Sequence, residues 1–553
     1  MTRPLVPAFL ARGSHAAVVA PHHLATAAGL GILRAGGTAV DAAIASNAVL
    51  AVVDNQACGI GGDAFWLIWD ASERRQVGLN GSGRSAAGAS AKALRARGLR
   101  TVPHRGGLSI TVPGAVRSWG DAHERYGHLP RASVLAPAIE LARDGFPADE
   151  AFCRAVEASG LLFERELGPD GAGWTSVYRS ARRPWHLGER VRLPALAATL
   201  ERIASEGWAE LYEGETADRQ AAALAAAGSA IGLEDLRAHT STWTDPIATD
   251  YRGVRVTGHP PNSSGFVALE LLNILETFEP PDAAGNGPAA IADGVRWAHL
   301  GIEASKLAMA DRDAHLTDPD HHRAPLERLL DKGYAHRLAR GIDPERASPP
   351  PPARVPRGGG TIWLGVVDDH GNAVSLIQSN YAGFGSGIVD PSTGIAYQNR
   401  GSYFGLDEDH PNVLAPAKRT LHTLMPAMLF RDGQPWVIVG SMGGDAQPQV
   451  HAQVVSALVD AGADVATAVA KPRWFVEPAE HYAPPDTVRI EPRFGPRFLD
   501  GLARLGHPVV TVEPFDGVLG HCHAIEVVAG GPAARGSVAA ATDPRSQGLP
   551  AAW

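Results

Sequence analysis

Apolar residues recur at helical spacing through HHLATAAGLGILRAGG (residues 22–37) and stop at Gly36-Gly37, a C-terminal cap signal. The next segment, TAVDAAIASNAVLAVV (38–53), is small and apolar on every side. It predicts a buried helix with Thr38 as its cap. AFWLIWD (64–70) reads as a strand, and DPIATDYRGVRVTG (245–258) as a turn plus a strand. Helical patterns dominate residues 130–240, and GFVALELLNILETF (265–278) and GVRWAHLGIEASKLAMADR (294–312) predict long helices.

Residues 343–360 form a proline- and glycine-rich linker without either period, and beyond it the texture changes. TIWLGVVD (361–368) and AVSLIQS (373–379) predict strands joined by the hairpin loop DHGN. WVIVGSMGG (436–444) predicts a strand running into a glycine loop. PQVHAQVVSALVDAG (448–462) and VATAVAKPRWF (465–475) predict helices, and HAIEVVAG (523–530) and SVAAATDP (537–544) closing strands. There is no internal repeat. The pattern is mixed α/β, with a helix-rich first part and a strand-rich last part.

Composition narrows the classes of function. The chain has 553 residues and a formal net charge of −9, with its basic residues dispersed, which argues against a nucleic-acid partner. Cys58, Cys153 and Cys522 are far apart and fit no metal or redox spacing, so a reducing, cytoplasmic setting without disulfides is expected. The N-terminus lacks the long apolar run of a signal peptide, and residues 39–53 are too short to span a bilayer, so no membrane association is expected.

Candidate chemistry comes from a few short stretches. GIGGD (59–63) and GSMGGD (440–445) lack the spacing of phosphate or dinucleotide loops. They are tight turns, or turns whose free N–H groups hold an oxyanion. HCH (521–523) and HLTDPDHH (315–322) lack a second metal-ligand pair, so no metal is expected and core or surface histidines are the better reading. VGSMGG has Val439 where a nucleophile elbow needs glycine. Thr361 differs, because three glycines precede it and a strand follows. A β-hydroxyl beside a peptide carbonyl can attack it, and water then cleaves the ester. The new N-terminal threonine would carry a nucleophile and, in its own α-amine (pKa about 7.7–8.0), a base. The bland alternative is ordinary β-propensity at a strand start.

The sequence resembles the γ-glutamyltransferase family of N-terminal-nucleophile hydrolases along nearly its whole length. The stretches that carry the resemblance include GGTAVDAAIASNAVLAVVDNQACGIGGDAFW, TVPGAVRSW, LAPAIELARDGFP, YRGVRVTGHPPNSSG, EASKLAMADRDAHLTDP, TIWLGVVDDHGNAVSLIQSNYAGFGSGI, GSMGGD and ATDPRS, all in register. The resemblance implies an αββα sandwich and self-cleavage between Gly360 and Thr361. Residues 1–360 would form a large subunit and 361–553 a small one, intertwined in one catalytic domain, with a homodimer of such processed pairs left open. It further implies Thr361 as nucleophile, Ser379 as the hydroxyl beside it, Gly443 and Gly444 as the oxyanion hole, and Arg84 as the holder of a substrate carboxylate. No cofactor is implied.

The chain departs from the γ-glutamyl pattern where that pattern binds the donor's α-ammonium. Arg400 and Tyr403, in YQNRGSYFG, stand where an amide and an acid are expected, and His422 and Thr423, in TLHTLMP, replace paired serines. A guanidinium 4 Å from an ammonium costs on the order of 4 kcal/mol at an effective dielectric of about 20. These features resemble the acylase-like branch, with its oxamate amidohydrolases and glutaryl-type cephalosporin acylases. They imply a small amide substrate whose acyl part bears a carboxylate and no ammonium. A genuine γ-glutamyltransferase or glutathione hydrolase is the alternative enzyme. An unprocessed, non-catalytic binder of small acids is the alternative of another class.

Overall fold

The computed structural model describes residues 9–179, 183–281, 288–349, 360–476 and 487–553. The first eight residues of the N-terminal reading and residues 350–359 of the linker reading lie outside them.

Fourteen strands build two seven-stranded sheets. In chain order they are β1 (Phe9–Gly13), β2 (Ala17–Val19), β3 (Asp63–Asp70), β4 (Arg75–Gly81), β5 (Thr242–Thr244), β6 (Ile247–Tyr251) and β7 (Val254–Gly258). After the linker follow β8 (Gly360–Val367), β9 (Ala373–Tyr381), β10 (Ala427–Arg431), β11 (Gln434–Ser441), β12 (Cys522–Val528), β13 (Ser537–Thr542) and β14 (Ala551–Ala552). One sheet has the order β1-β13-β12-β11-β10-β7-β6 and the other β14-β2-β8-β9-β3-β4-β5. All these neighbours pair antiparallel. Strands from both sides of residue 360 interleave in each sheet, so neither side alone completes one.

The period-2 alternation of the strands sorts side chains into layers. Trp363, Val367, Phe65, Leu67 and Ile377 join Met428, Ile438 and Ile525 of the other sheet in a core between the sheets. Their alternates Leu364, Val366, Trp66 and Leu376 pack outward on the helices His23–Arg34 and Ala39–Val53. On the far side, Leu429, Val437 and Val439 pack on the helices Gly265–Leu275 and Gln447–Val459. The order is helix, sheet, sheet, helix: a four-layer αββα sandwich.

Most predicted elements are present, and the differences have local causes. The helix Ala39–Val53 is buried at every position and carries a capping box between Thr38 and Asp41. Residues 245–258 form a hairpin and not a turn plus one strand, because Arg252 and Gly253 both take positive φ (51° and 80°) and close a tight turn. The helix predicted to Phe475 ends at Ala470, ahead of Pro472, and Trp474–Val476 is a strand. The helix around 294–312 runs from Pro288 to His315. The strand at the linker's end begins at Gly360, so Thr361 is its second residue.

Candidate active site

At one end of the layer between the sheets, polar side chains replace the apolar alternation. Residues 363 and 367 of β8 face the inter-sheet core, so the same period directs Thr361 to that face. Ser379 and Asp63 are directly opposed in the β9–β3 ladder, which puts both side chains on one face. Gly62 permits the approach of the preceding loop: a Cβ there would lie 2.5 Å from the Ser379 carbonyl oxygen.

The β8–β9 ladder shifts register between Gly360 and Ile362, so Thr361 sits on an irregularity. Its Oγ1 lies 3.1 Å from Ser379 Oγ and 2.8 Å from the Gly360 carbonyl oxygen. Ser379 Oγ lies 2.6 Å from that same carbonyl oxygen and accepts from Tyr381 N–H at 2.7 Å. Each hydroxyl has one proton. The consistent assignment is Thr361 O–H to Ser379 Oγ, and Ser379 O–H to the Gly360 carbonyl. A proton path thus leads away from the Thr361 oxygen, and a donor polarises the adjacent carbonyl. Tyr381 holds φ 73°, an uncommon backbone state for a bulky residue. A Cβ at Gly360 would make only ordinary contacts, so packing does not require glycine there.

Gly443 and Gly444 follow β11 with φ 138° and 55°, conformations glycine adopts without strain. They lead through a short 3-10 turn into the helix Gln447–Val459, where backbone N–H groups lack intrahelical partners. Asp445 beside them pairs with the buried Arg312 and accepts from Tyr403 Oη at 3.3 Å. Arg312 also bonds Asp313 at 2.7 Å.

Arg400 is 2 % exposed. Its guanidinium lies 4.4 Å from the Tyr381 ring centroid and 5.2 Å from that of Tyr403. Nη1 donates to Thr423 Oγ1 at 3.2 Å, and Nη2 is buried without a hydrogen-bond partner among the described residues. Burial pulls its pKa down, but a guanidinium stays charged at neutral pH. It does not turn out to Asp407, which is exposed.

His422 Nε2 lies 3.1 Å from Asp63 Oδ2, and its Nδ1 accepts from Leu424 N–H at 3.3 Å. Burial first, then Arg400 and His259, push its pKa well below the usual imidazole value, so the ring is neutral. With Nδ1 facing a donor, the proton sits on Nε2 and points at Asp63.

Arg84 is held by two acids. Its Nη1 pairs with Asp318 at 2.9 Å and its Nη2 with Asp320 at 3.1 Å, and its side chain is 26 % exposed. The histidine-rich segment 315–322 therefore supplies acids to an arginine. Of the other histidine stretch, His523 is buried and stacks on Trp363, a core role. The structure brings together Thr361, Ser379 and Gly360 in one group, and Arg400 with Tyr403 and Thr423 in another, with His422 beside them. Sequence reasoning missed Asp63, Tyr381, Asp445 and Arg312. Asp63 lies in the GIGGD loop, but only the ladder shows that it opposes Ser379.

Comparison with known proteins places this arrangement. A family model described as gamma-glutamyltranspeptidase matches residues 25–553. The Glutathione hydrolase-like YwrD proenzyme of Bacillus subtilis (strain 168) is 39% identical over 97% of this chain and 98% of its own length. The Oxamate amidohydrolase proenzyme of Klebsiella pneumoniae is 38% identical over 98% of this chain and 99% of its own. The crystal structure of cephalosporin acylase from Bacillus halodurans superposes with a TM-score of 0.90 at 37% identity, covering 100% of this chain and 98% of that one. Family model, curated relatives and fold agree from end to end: the chain belongs to the gamma-glutamyltranspeptidase family and is an amide-hydrolysing enzyme with the αββα N-terminal-nucleophile fold.

Proposed function

We propose that the chain is a proenzyme that cuts itself between Gly360 and Thr361 and then hydrolyses a small amide whose acyl part carries a carboxylate and no α-ammonium. The observation that carries the substrate class is Arg400: a buried guanidinium with an unpartnered N–H and no ion pair among the described residues. Burying a charge without a partner is costly. A substrate carboxylate relieves that cost, and an ammonium adds to it.

In the cut, Thr361 Oγ1 bonds to the Gly360 carbonyl carbon while its proton passes through Ser379 to the departing amide nitrogen. The C–N bond breaks, leaving an ester. Water cleaves the ester to a Gly360 carboxylate and the Thr361 hydroxyl, the α-amine having been freed when the C–N bond broke. In turnover the same oxygen attacks the substrate amide, the α-amine takes its proton, and that proton goes to the leaving amine as the substrate C–N bond breaks. The N–H groups of Gly443 and Gly444 hold the oxyanion, and the acyl-enzyme is released by water. Residues 1–360 and 361–553 become subunits that stay together because both sheets need both. His422 and Thr423 line the acyl pocket with Tyr403, and Arg84 contributes a second cation at its rim. Relatives named for oxamate, for cephalosporins and for glutathione support an amide substrate.

The test compares the p-nitroanilides of glutarate and γ-glutamate, which differ by the α-ammonium alone, with oxamate as a third substrate. The expected result is a higher kcat/KM for glutaryl-p-nitroanilide or oxamate. A higher value for γ-glutamyl-p-nitroanilide would make the enzyme a glutathione-hydrolase type and sink the carboxylate-only reading.

A further inference from the structure

We propose that Asp63 is the resident counter-anion of Arg400, and that a substrate carboxylate docking on Arg400 makes Asp63 take up a proton, so that acid binding is proton-linked. The inference rests on the reading of Arg400 as the carboxylate receptor. Two residues adjacent in the chain each hold one of the charges. His422 donates to Asp63 at 3.1 Å, and Thr423 accepts from Arg400 at 3.2 Å. Asp63 is 1 % exposed, faces the nucleophile's side of the sheet opposite Ser379, and makes no ion pair with Arg400.

The proton assignment defines the resting state. Gly83 N–H donates to Asp63 Oδ1 at 2.9 Å and His422 Nε2–H points at Oδ2, which suits an ionised carboxylate. The Gly114 N–H also bears on this carboxylate, so about one of its roughly four lone-pair sites remains open for a proton. The groups facing Asp63 are Arg400 from the turn Arg400–Tyr403, Arg419 and His422 from the segment before β10, and Tyr212 from the helix Glu210–Glu213. His259, after β7, packs on Phe65 two residues along β3. Both imidazoles are neutral, because burial pushes their pKa values down. Burial raises the Asp63 pKa to about 7, against the pull of the Gly83 N–H and of Arg400 and Arg419. The carboxylate is thus only marginally ionised, and a second carboxylate on the same guanidinium tips it to the acid. The sign follows. Below about pH 7 the proton is already in place and the anion binds best. Above it each bound acid must draw a proton from water, and affinity falls by up to about tenfold per pH unit.

The experiment measures the Kd of oxalate or glutarate, acids with no amide to cleave, from pH 6 to 9 on processed wild type and Asp63→Asn. The Thr361 amine adds the same slope to both, so the difference isolates Asp63. The expected result is a flatter profile for Asp63→Asn, with tighter binding than wild type at pH 8.5. Parallel profiles overturn the linkage. If Asp63→Asn does not process, infrared difference spectra of wild type with 13C-labelled ligand decide: a new protonated-carboxyl band is expected on binding, and its absence overturns the proposal. Arg400→Met separates the two ideas. Lost binding alongside parallel profiles sinks the linkage alone, whereas unchanged binding in Arg400→Met sinks the reading of Arg400.

Discussion

Two arginines singled out from the sequence meet the same electrostatic problem differently. Arg84 arrives with two carboxylates, one of them the buried Asp318 and the other the 66 % exposed Asp320. Arg400 in the interior has a hydroxyl, two aromatic faces and an open N–H, but no ion pair among the described residues. A cation with its own counterions must exchange them to hold a substrate, and the gain is small. A buried cation with no contact ion pair gives up no such contact when it gains a charge-assisted bond. The resemblance alone gives the carboxylate to Arg84. The neighbours distinguish a cation held by two acids from one with no contact ion pair among the described residues.

The largest expected effect removes the chemistry on which both arginines act. Thr361→Ala should run as one 58.0 kDa band on a denaturing gel with no turnover. Two bands from that variant would place the cut elsewhere. Next, Arg400→Met should process normally but lose about 10- to 150-fold in kcat/KM for carboxylate substrates, from a lost bond of about 1.5–3 kcal/mol. Steady-state kinetics beside a gel reads both. Arg84→Ala should lose less than about tenfold in kcat/KM, while unfolding free energy falls by about 1–3 kcal/mol because Asp318 loses its partner. Denaturant titration measures the second quantity, and a kinetic loss larger than that of Arg400→Met would reverse the comparison. The smallest effect is expected from Asp320→Ala. It deletes one exposed ion pair, so stability should move by about 0–1 kcal/mol and KM should hold or fall slightly as one Arg84 nitrogen is freed. A KM raised severalfold would mean that Asp320 itself meets the substrate.

Much of the fold was legible because its elements are locally consistent. The all-apolar helix Ala39–Val53, the alternating strands around DHGN and the glycine loop after Ser441 all read directly. The misread places were punctuated by weak signals. Arg252 is not a usual residue for positive φ, so the hairpin Ile247–Gly258 read as one strand. In VATAVAKPRWF the apolar spacing continued past the proline that ends the helix. Within the site, Thr361 could be picked out by its place after the linker, and Arg400 and Tyr403 by their departure from a pattern. Asp63 could not, because its meaning lies in strand register: it opposes Ser379 across 316 positions of chain.

By itself the sequence determined the layers, since period-2 and helical patterns dictate which faces must be buried, and it determined the chemistry available at the strand start. Only the tertiary structure decided which charges are free. The spacing of Arg84 and Asp318 along the chain says nothing of a 2.9 Å ion pair, nor does that of Asp63 and His422 say anything of a shared proton. Charge compensation depends on distance and burial in three dimensions, where the local dielectric sets its strength, and neither is written in the order of residues.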